Sequence, residues 1–441
     1  MRNLSFSVVI ITRFCAATFA ALAALAALAS ASCGGKVVTE TVAEPRAEKP
    51  KPPTSVPMWL GNPTRSFFGT GPLPKSLKVI WDFETGFTRG RLHNDLWGGS
   101  GWPGQAAIVG DRVYFGSADS YVYCLNRKDG TLIWKYKTND SAKSSPCVVG
   151  GFLVIGNLDH TVYCLNANDG TLVWKYQTGF ETDSSPAIVG DRVFIGGEDH
   201  FYYCFDLKDG HIVFKTQLGG SVEGGTTLVD DKIYVDTEAG DLLCLNAEDG
   251  SIIWKSRIGA DSNSTPAVIS GRVYTAAEDG TVRAYKQGTG ELVWTYKAEG
   301  GLNQKKKEKN GFWASPIVFN DRVYIGSNNG HMYCLSADKG ELVWKRLMRA
   351  AIWGSSPVID GRVVFGDKSG YLYLLSTDNG DLISEIKLGD NIDATPAVID
   401  GRIYVGAFNG KFSCVGEDAA PAKGPVSAQP STFRKPSSAT R

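Results

Sequence analysis

Lys143, Asp183, Glu223, Asn263, Trp313, Trp353 and Asp393 share one register of a repeating chain, each ten residues before an apolar anchor. Pro103 fills that register in the first copy. The set mixes both charge signs, an amide and two indoles, while neighbouring registers stay nearly constant. Polar groups converging beside apolar surface make small-ligand pockets. This register therefore predicts a small-ligand pocket or a peptide-contacting mouth; the alternative is an ordinary hydrated rim.

Other reactive residue types form no tight motif. His160 and His200 occupy matching turns of neighbouring copies, with Asp183 on the same face, and read as surface turn residues more readily than as metal ligands. His93, His211 and His331 complete no dense ligand pattern, and neither H-E-x-x-H nor C-x-x-C-H occurs. The recurring Ser-Ser-Pro introduces a strand and is no nucleophile signal.

The elements that must position these residues repeat about every 40 residues. GDRVYFG at 110–116 returns as GGFLVIG, GDRVFIG, DDKIYVD, SGRVYTA, NDRVYIG, DGRVVFG and DGRIYVG, the last at 400–406. The anchors are Val113, Leu153, Val193, Ile233, Val273, Val323, Val363 and Ile403. A period near 40 built of short strands signals a propeller. Within 184–217 four strands fit, at about 186–189, 192–196, 201–205 and 211–216, separated by turns rich in Gly. The last copy ends after its third strand, and KVIWDFETG at 78–86 reads as a solitary fourth strand. The predicted fold is all-β: an eight-bladed propeller of four-stranded blades, closed by an N-terminal outer strand that completes the last blade.

Trp81, Trp134, Trp174, Phe214, Trp254, Trp294 and Trp344 recur in the outer strand, and Ser384 departs from them. Repetition in nearly every copy is what packing across blade joints requires. Cys124, Cys164, Cys204, Cys244, Cys334 and Cys414 share a third-strand position that also accepts Ala284 and Leu374, so they read as buried core thiols. With Cys147 the body has seven cysteines, an odd number that cannot all pair within one chain.

LNANDGTLVWKY at 165–176, its relatives at 125–136 and 245–256, and WLGNPTRSFFGTG at 59–71 followed by Trp81 carry a family resemblance. Over 59–415 the chain resembles the pyrroloquinoline-quinone-like eight-bladed propellers, which include alcohol dehydrogenases and a non-catalytic outer-membrane assembly lipoprotein. In the enzymes of that family a Trp face supports the quinone, and acidic and amide groups bind Ca²⁺. The resemblance thus implies an alternative role as a quinone- and Ca²⁺-dependent oxidoreductase. Asp183, Glu223 and Asn263 would be metal ligands, joined by Asp393, with Trp313 or Trp353 beside the ring; hard oxygens suit Ca²⁺. The adjacent cysteine pair of many such dehydrogenases is absent here.

The flanks read as export and tethering. Residues 1–31 form a signal segment, with a small-residue site at Ala29-Ser30-Ala31 or lipoprotein processing before Cys33. A Pro/Lys/Glu-rich linker spans 32–57, the propeller 58–416, and a disordered tail 417–441. Two insertions, 87–104 with Trp97 and Trp102, and 297–313 with Lys305, Lys306 and Lys307, fall in outer-to-inner connections on the mouth face. With 46 basic and 46 acidic residues, no global field favours nucleic acid. The expected role is a non-enzymatic interaction scaffold of the bacterial cell envelope, a monomeric ring with no cofactor. It would be periplasmic or tethered to the outer membrane and would contact an envelope protein or peptide. Periplasmic small-ligand binding or sensing is a further alternative.

Overall fold

The computed structural model describes residues 55–89, 96–98, 104–299 and 311–417, all within one unit, Pro52–Arg441. The signal segment, Cys33, the linker up to 54, His93, Trp102, Lys305, Lys306, Lys307 and the tail beyond 417 lie outside the described residues. Eight four-stranded antiparallel sheets follow one another, and a small hairpin pairs Phe87–Arg89 with Leu96–Gly98. In the third blade the strands are Ala187–Val189, Arg192–Gly196, Phe201–Asp206 and Ile212–Gln217, counted outward from the axis.

Burial follows that order. Third strands such as Thr161–Asn166 are buried almost throughout, whereas fourth strands alternate exposed positions around one buried aromatic ring. A bulge sets that ring's position: Cys164 faces Trp174, while Leu165 faces Leu172, leaving Val173 extra. The same shift recurs in the other blades, including the seam. There Lys78–Glu84 pairs with Lys411–Gly416, with Trp81 opposite Cys414 and Ile80 extra. The N-terminal strand is therefore a true fourth strand by its register.

Each outer aromatic ring locks its blade to the next. Trp174 Nε1 donates to the Leu207 carbonyl at 2.8 Å, and its ring lies against Gly210, where a Cβ would come within 2.6 Å. Gly210 has φ +75, so both conformation and space exclude larger residues. Trp81, Trp134, Trp254, Trp294 and Trp344 repeat the contact, and Phe214 packs on Gly250 without the polar bond. Ser384 has no such target: the last blade has no turn between its third and fourth strands, because that is where the ring is sewn shut. Its hydroxyl instead accepts the Leu77 N–H at the seam, at 3.2 Å. The gap in the aromatic ladder and the closure have one cause.

The segment from Val56 to Pro74 runs along the inner faces of the blades. Val56 pairs with Ile108, Val148 N–H donates to the Pro57 carbonyl, Leu228 N–H to Pro63, and Gly69 bridges Val398. Contacts with innermost strands of the first, second, fourth and eighth blades place this segment on the axis. Arg65 is buried at its centre and donates to the carbonyls of Thr226, Pro186 and Trp59.

The seven described cysteines are buried and free. Burial pushes the Cys124 and Cys164 thiols up to about 12.

Candidate functional site

A belt of hydroxyl–backbone bonds holds the segments that lead into the innermost strands. Backbone N–H groups of Gln105, Ser145, Gly225, Thr265, Ser315 and Ser355 donate to the hydroxyls of Ser145, Ser185, Thr265, Ser315, Ser355 and Thr395. This explains the Ser-Ser-Pro repeat: the second hydroxyl binds blade to blade. Where Gly225 lacks a hydroxyl, Thr226 N–H reaches the Ser185 carbonyl, and Arg65 caps the Thr226 carbonyl. Belt bonds at Ser315, Ser355 and Thr395 keep Trp353 in register although Pro357 is displaced by one residue.

Six of the predicted positions stand two residues ahead of a belt hydroxyl, and the seventh, Glu223, stands two ahead of Gly225. A second ring faces them, five residues after each anchor: Ala118, Leu158, Glu198, Glu238, Glu278, Asn328, Lys368 and Phe408. The backbone N–H of Glu198 donates to the Glu181 carbonyl, Glu238 to Ser221, Glu278 to Asp261, and Lys368 to Ala351. Each of these four is thus pinned two residues from a first-ring position. This ring escaped the sequence reading, although its own failure to repeat is a comparable signal.

The rings assemble two arcs. On the second to fourth blades, Lys143 Nζ lies 3.4 Å from Asp183 Oδ2, with the Asp183 side chain only 9% exposed. The Glu198 carboxyl is within hydrogen-bonding reach of Asp183, and that of Glu223 within reach of Glu238. Burial, reinforced by the charge of Asp183 and neighbouring glutamates, raises Glu198 and Glu223 far above the ordinary carboxylate range. Next to Asn263, Ser262 and Ser264 each donate to Asp236 Oδ2 at 2.8 Å, joined by Thr275, and burial pushes Asp236 up to about 7.

The other arc is aromatic. Trp313 and Trp353 lie 4.1 Å apart between centroids, tilted by 32°. Lys368 Nζ sits 2.9 Å from the Trp353 centroid and 4.0 Å from Asp393 Oδ2. Burial pushes Asp393 up to about 7, and Lys368 draws it back down. Asp183 Oδ1, Asn263 Oδ1, Asp393 Oδ1 and Trp353 Nε1 are buried without a hydrogen-bond partner. An unpaired buried polar atom costs roughly 1–3 kcal/mol, so these four call for water or another polar group at the mouth. A recess beside Gln105, Lys143 and Thr395 holds about 10 Å³, room for no more than one water.

The remaining candidates lie outside these two rings. His160 and His200 adopt φ 65 and 69 at turn positions where later blades place Gly, and His160 stacks on Phe180. Asp206, Asp209 and His211 bring ligand atoms within 4.8 Å of one another, but on a turn at the opposite face, where Asp209 and His211 are exposed. Trp97 lies in the small hairpin strand Leu96–Gly98.

A family model described as the beta-propeller of the beta-alanine-activating enzyme matches residues 148–415. The chain belongs to this propeller family. A model of the outer membrane protein assembly factor BamB matches residues 76–218 of this family member. No curated protein matches it in sequence. Among solved structures it is similar to a europium-containing methanol dehydrogenase, at 14% identity and TM-score 0.70, covering 83% of this chain and 99% of that one. It is similar to BamB from Moraxella catarrhalis at 18% identity and TM-score 0.60, covering 78% and 99%. Quinohemoprotein alcohol dehydrogenase from Comamonas testosteroni gives 14% identity and TM-score 0.68, covering 84% and 82%. At these identities the likeness is one of fold, shared by BamB and by quinone-dependent dehydrogenases.

Of the two indoles that could support a quinone, Trp353 is already covered. A planar cofactor needs an open aromatic face, and Trp353 already carries both the Trp313 ring and the Lys368 ammonium. The acidic arc, by contrast, has the chemistry of a cation site.

Proposed function

We propose that this propeller is a binding protein that holds a small cationic ligand at the channel mouth, without turning it over. The carrying observation is the acidic arc: Asp183, Glu198, Glu223 and Glu238 converge as two carboxyl pairs, with Lys143 the charge partner of Asp183. Two ionised carboxylates in hydrogen-bonding contact repel strongly, so each pair takes up a proton or a cation. The Val56–Pro74 segment runs against innermost strands of four blades, which argues against an open pore. The alternative of periplasmic ligand binding or sensing thus has more support than catalysis.

The test is a thermal-shift panel in low salt at pH 7 with calcium, magnesium, spermidine and lysine. At least one cation should raise the melting temperature of the native chain, and the response should vanish in an E198Q/E223Q variant. No response from any of them, with the fold intact, sinks the proposal.

The match of residues 76–218 to the BamB model supports a second reading, an envelope scaffold exported to the periplasm or tethered through Cys33. In that role the 87–104 and 297–313 insertions contact a protein partner. Crosslinking in cells should then capture a specific envelope protein, and replacing 297–313 should abolish capture while outer-strand changes leave it intact.

A further inference from the structure

We propose that the cation is a flexible aliphatic polyamine, whose two ammonium groups each take one carboxyl pair of the acidic arc. The inference rests on the cation-binding reading and adds the class of ligand. Three features carry it.

The first is the distribution of charge. Asp183 with Glu198, and Glu223 with Glu238, are equivalent pairs one blade apart, 40 residues along the repeat. A ligand repeating its positive charge along a chain matches an acid pattern repeated by the fold. Lys143 contacts Asp183, a carboxylate of the first pair.

The second is the position of the unsatisfied atoms. Three of the four, Asp183 Oδ1, Asn263 Oδ1 and Asp393 Oδ1, are acceptors, the fourth being the Trp353 Nε1 donor, and the Asp183 and Asp393 side chains are more than nine-tenths buried. They belong to the third, fifth and eighth blades and so face the mouth from different sides. Donors spread over that width belong to an extended molecule. Protonated amines supply two or three N–H donors each and no acceptor. A metal ion gathers its oxygens into one sphere at 2.3–2.6 Å for calcium, a roughly fixed shell. Among the described residues the trio whose ligand atoms lie within 4.8 Å is Asp206, Asp209 and His211, on the opposite face.

The third is Lys368, which shows how this mouth holds an alkylammonium. Its Nζ lies against the Trp353 face, and Asp393 stands 4.0 Å away. Cation–π attraction plus a carboxylate is a setting for primary amines. The acidic arc offers carboxylates for a ligand's amines, while the aromatic arc presents apolar surface to the methylenes between them.

The test is calorimetric titration of the full folded body with spermidine, and separately with calcium chloride, in low salt at pH 7. Spermidine should bind with one-to-one stoichiometry and at least tenfold more tightly than calcium. E198Q and E223Q should each weaken spermidine at least tenfold. Lys143→Met should tighten it about fivefold, because the internal competitor for Asp183 is gone; a merely damaged site would weaken instead. Saturable calcium binding with no spermidine binding overturns the polyamine assignment and leaves the cation site standing. Binding of neither, in a folded protein, overturns both.

Discussion

Replacing Glu223 with Gln should stabilise the ligand-free protein, against the usual trend for substitutions in a buried site. Glu223 is kept protonated by burial and by the charges of Asp183, Glu238 and Glu198. Its ordinary value is 4.5, so holding a proton at pH 7 costs up to about 3 kcal/mol, at about 1.4 kcal/mol per pH unit. Gln keeps the shape and removes that cost. The sign follows from linkage: a carboxyl whose folded value is raised contributes least to stability at high pH, since the folded state binds more protons than the unfolded one. Wild type should therefore lose stability relative to E223Q as pH rises above 4.5, with no difference at or below that pH. For a folded body of this size, 3 kcal/mol corresponds to roughly 4 °C in melting temperature. Paired thermal melts between pH 4 and 8 measure the difference. Because the four carboxyls share one field, E198Q/E223Q should gain less than the sum of the single variants. An equal destabilisation by E223Q at every pH would refute the reasoning, since it would mean that Glu223 bears no electrostatic strain.

The blade joints make further predictions. Trp174→Phe should cost about 1 kcal/mol, the worth of its bond to the Leu207 carbonyl, and Trp174→Ala about 3–5 kcal/mol, both read from denaturant midpoints. Ser384→Trp should bring no stabilisation, because no turn stands opposite to receive the ring; a clear rise in midpoint would contradict the account of the seam. The seven body thiols should resist alkylation at pH 8 in the native protein and react together on unfolding, as burial and raised thiol values require; rapid labelling of the folded protein would contradict this.

The architecture was legible because its signals repeat. Eight anchors spaced by 40 residues except across the 297–313 insertion, Gly in every turn between third and fourth strands, and an aromatic ring in seven of the eight outer strands over-determine a propeller. The seam was legible because Trp81 carries the outer-strand signature away from its blade. Asp183, Glu223, Asn263 and the two indoles stood out by failing to repeat, and the structure sets them around one mouth. Glu198, Glu238 and Lys368 obey the same logic one turn further on and were missed because a single register was read. The axial segment was the least legible. Its bonds join Pro57 to Val148 and Arg65 to Thr226, contacts between irregular backbone and distant strands that leave no period in the sequence. Ser384 was visible as an exception, but its cause is topological and emerges only when the missing turn is seen.

The central claim is that a cation replaces protons in the acidic arc, and proton exchange measures this directly. Spermidine or calcium is titrated calorimetrically at pH 7 in two buffers of different ionisation enthalpy, which gives the number of protons released per ligand bound. The account predicts net proton release on binding, abolished together with binding in E198Q/E223Q. Binding with no proton release, or with release unchanged in that variant, would contradict it.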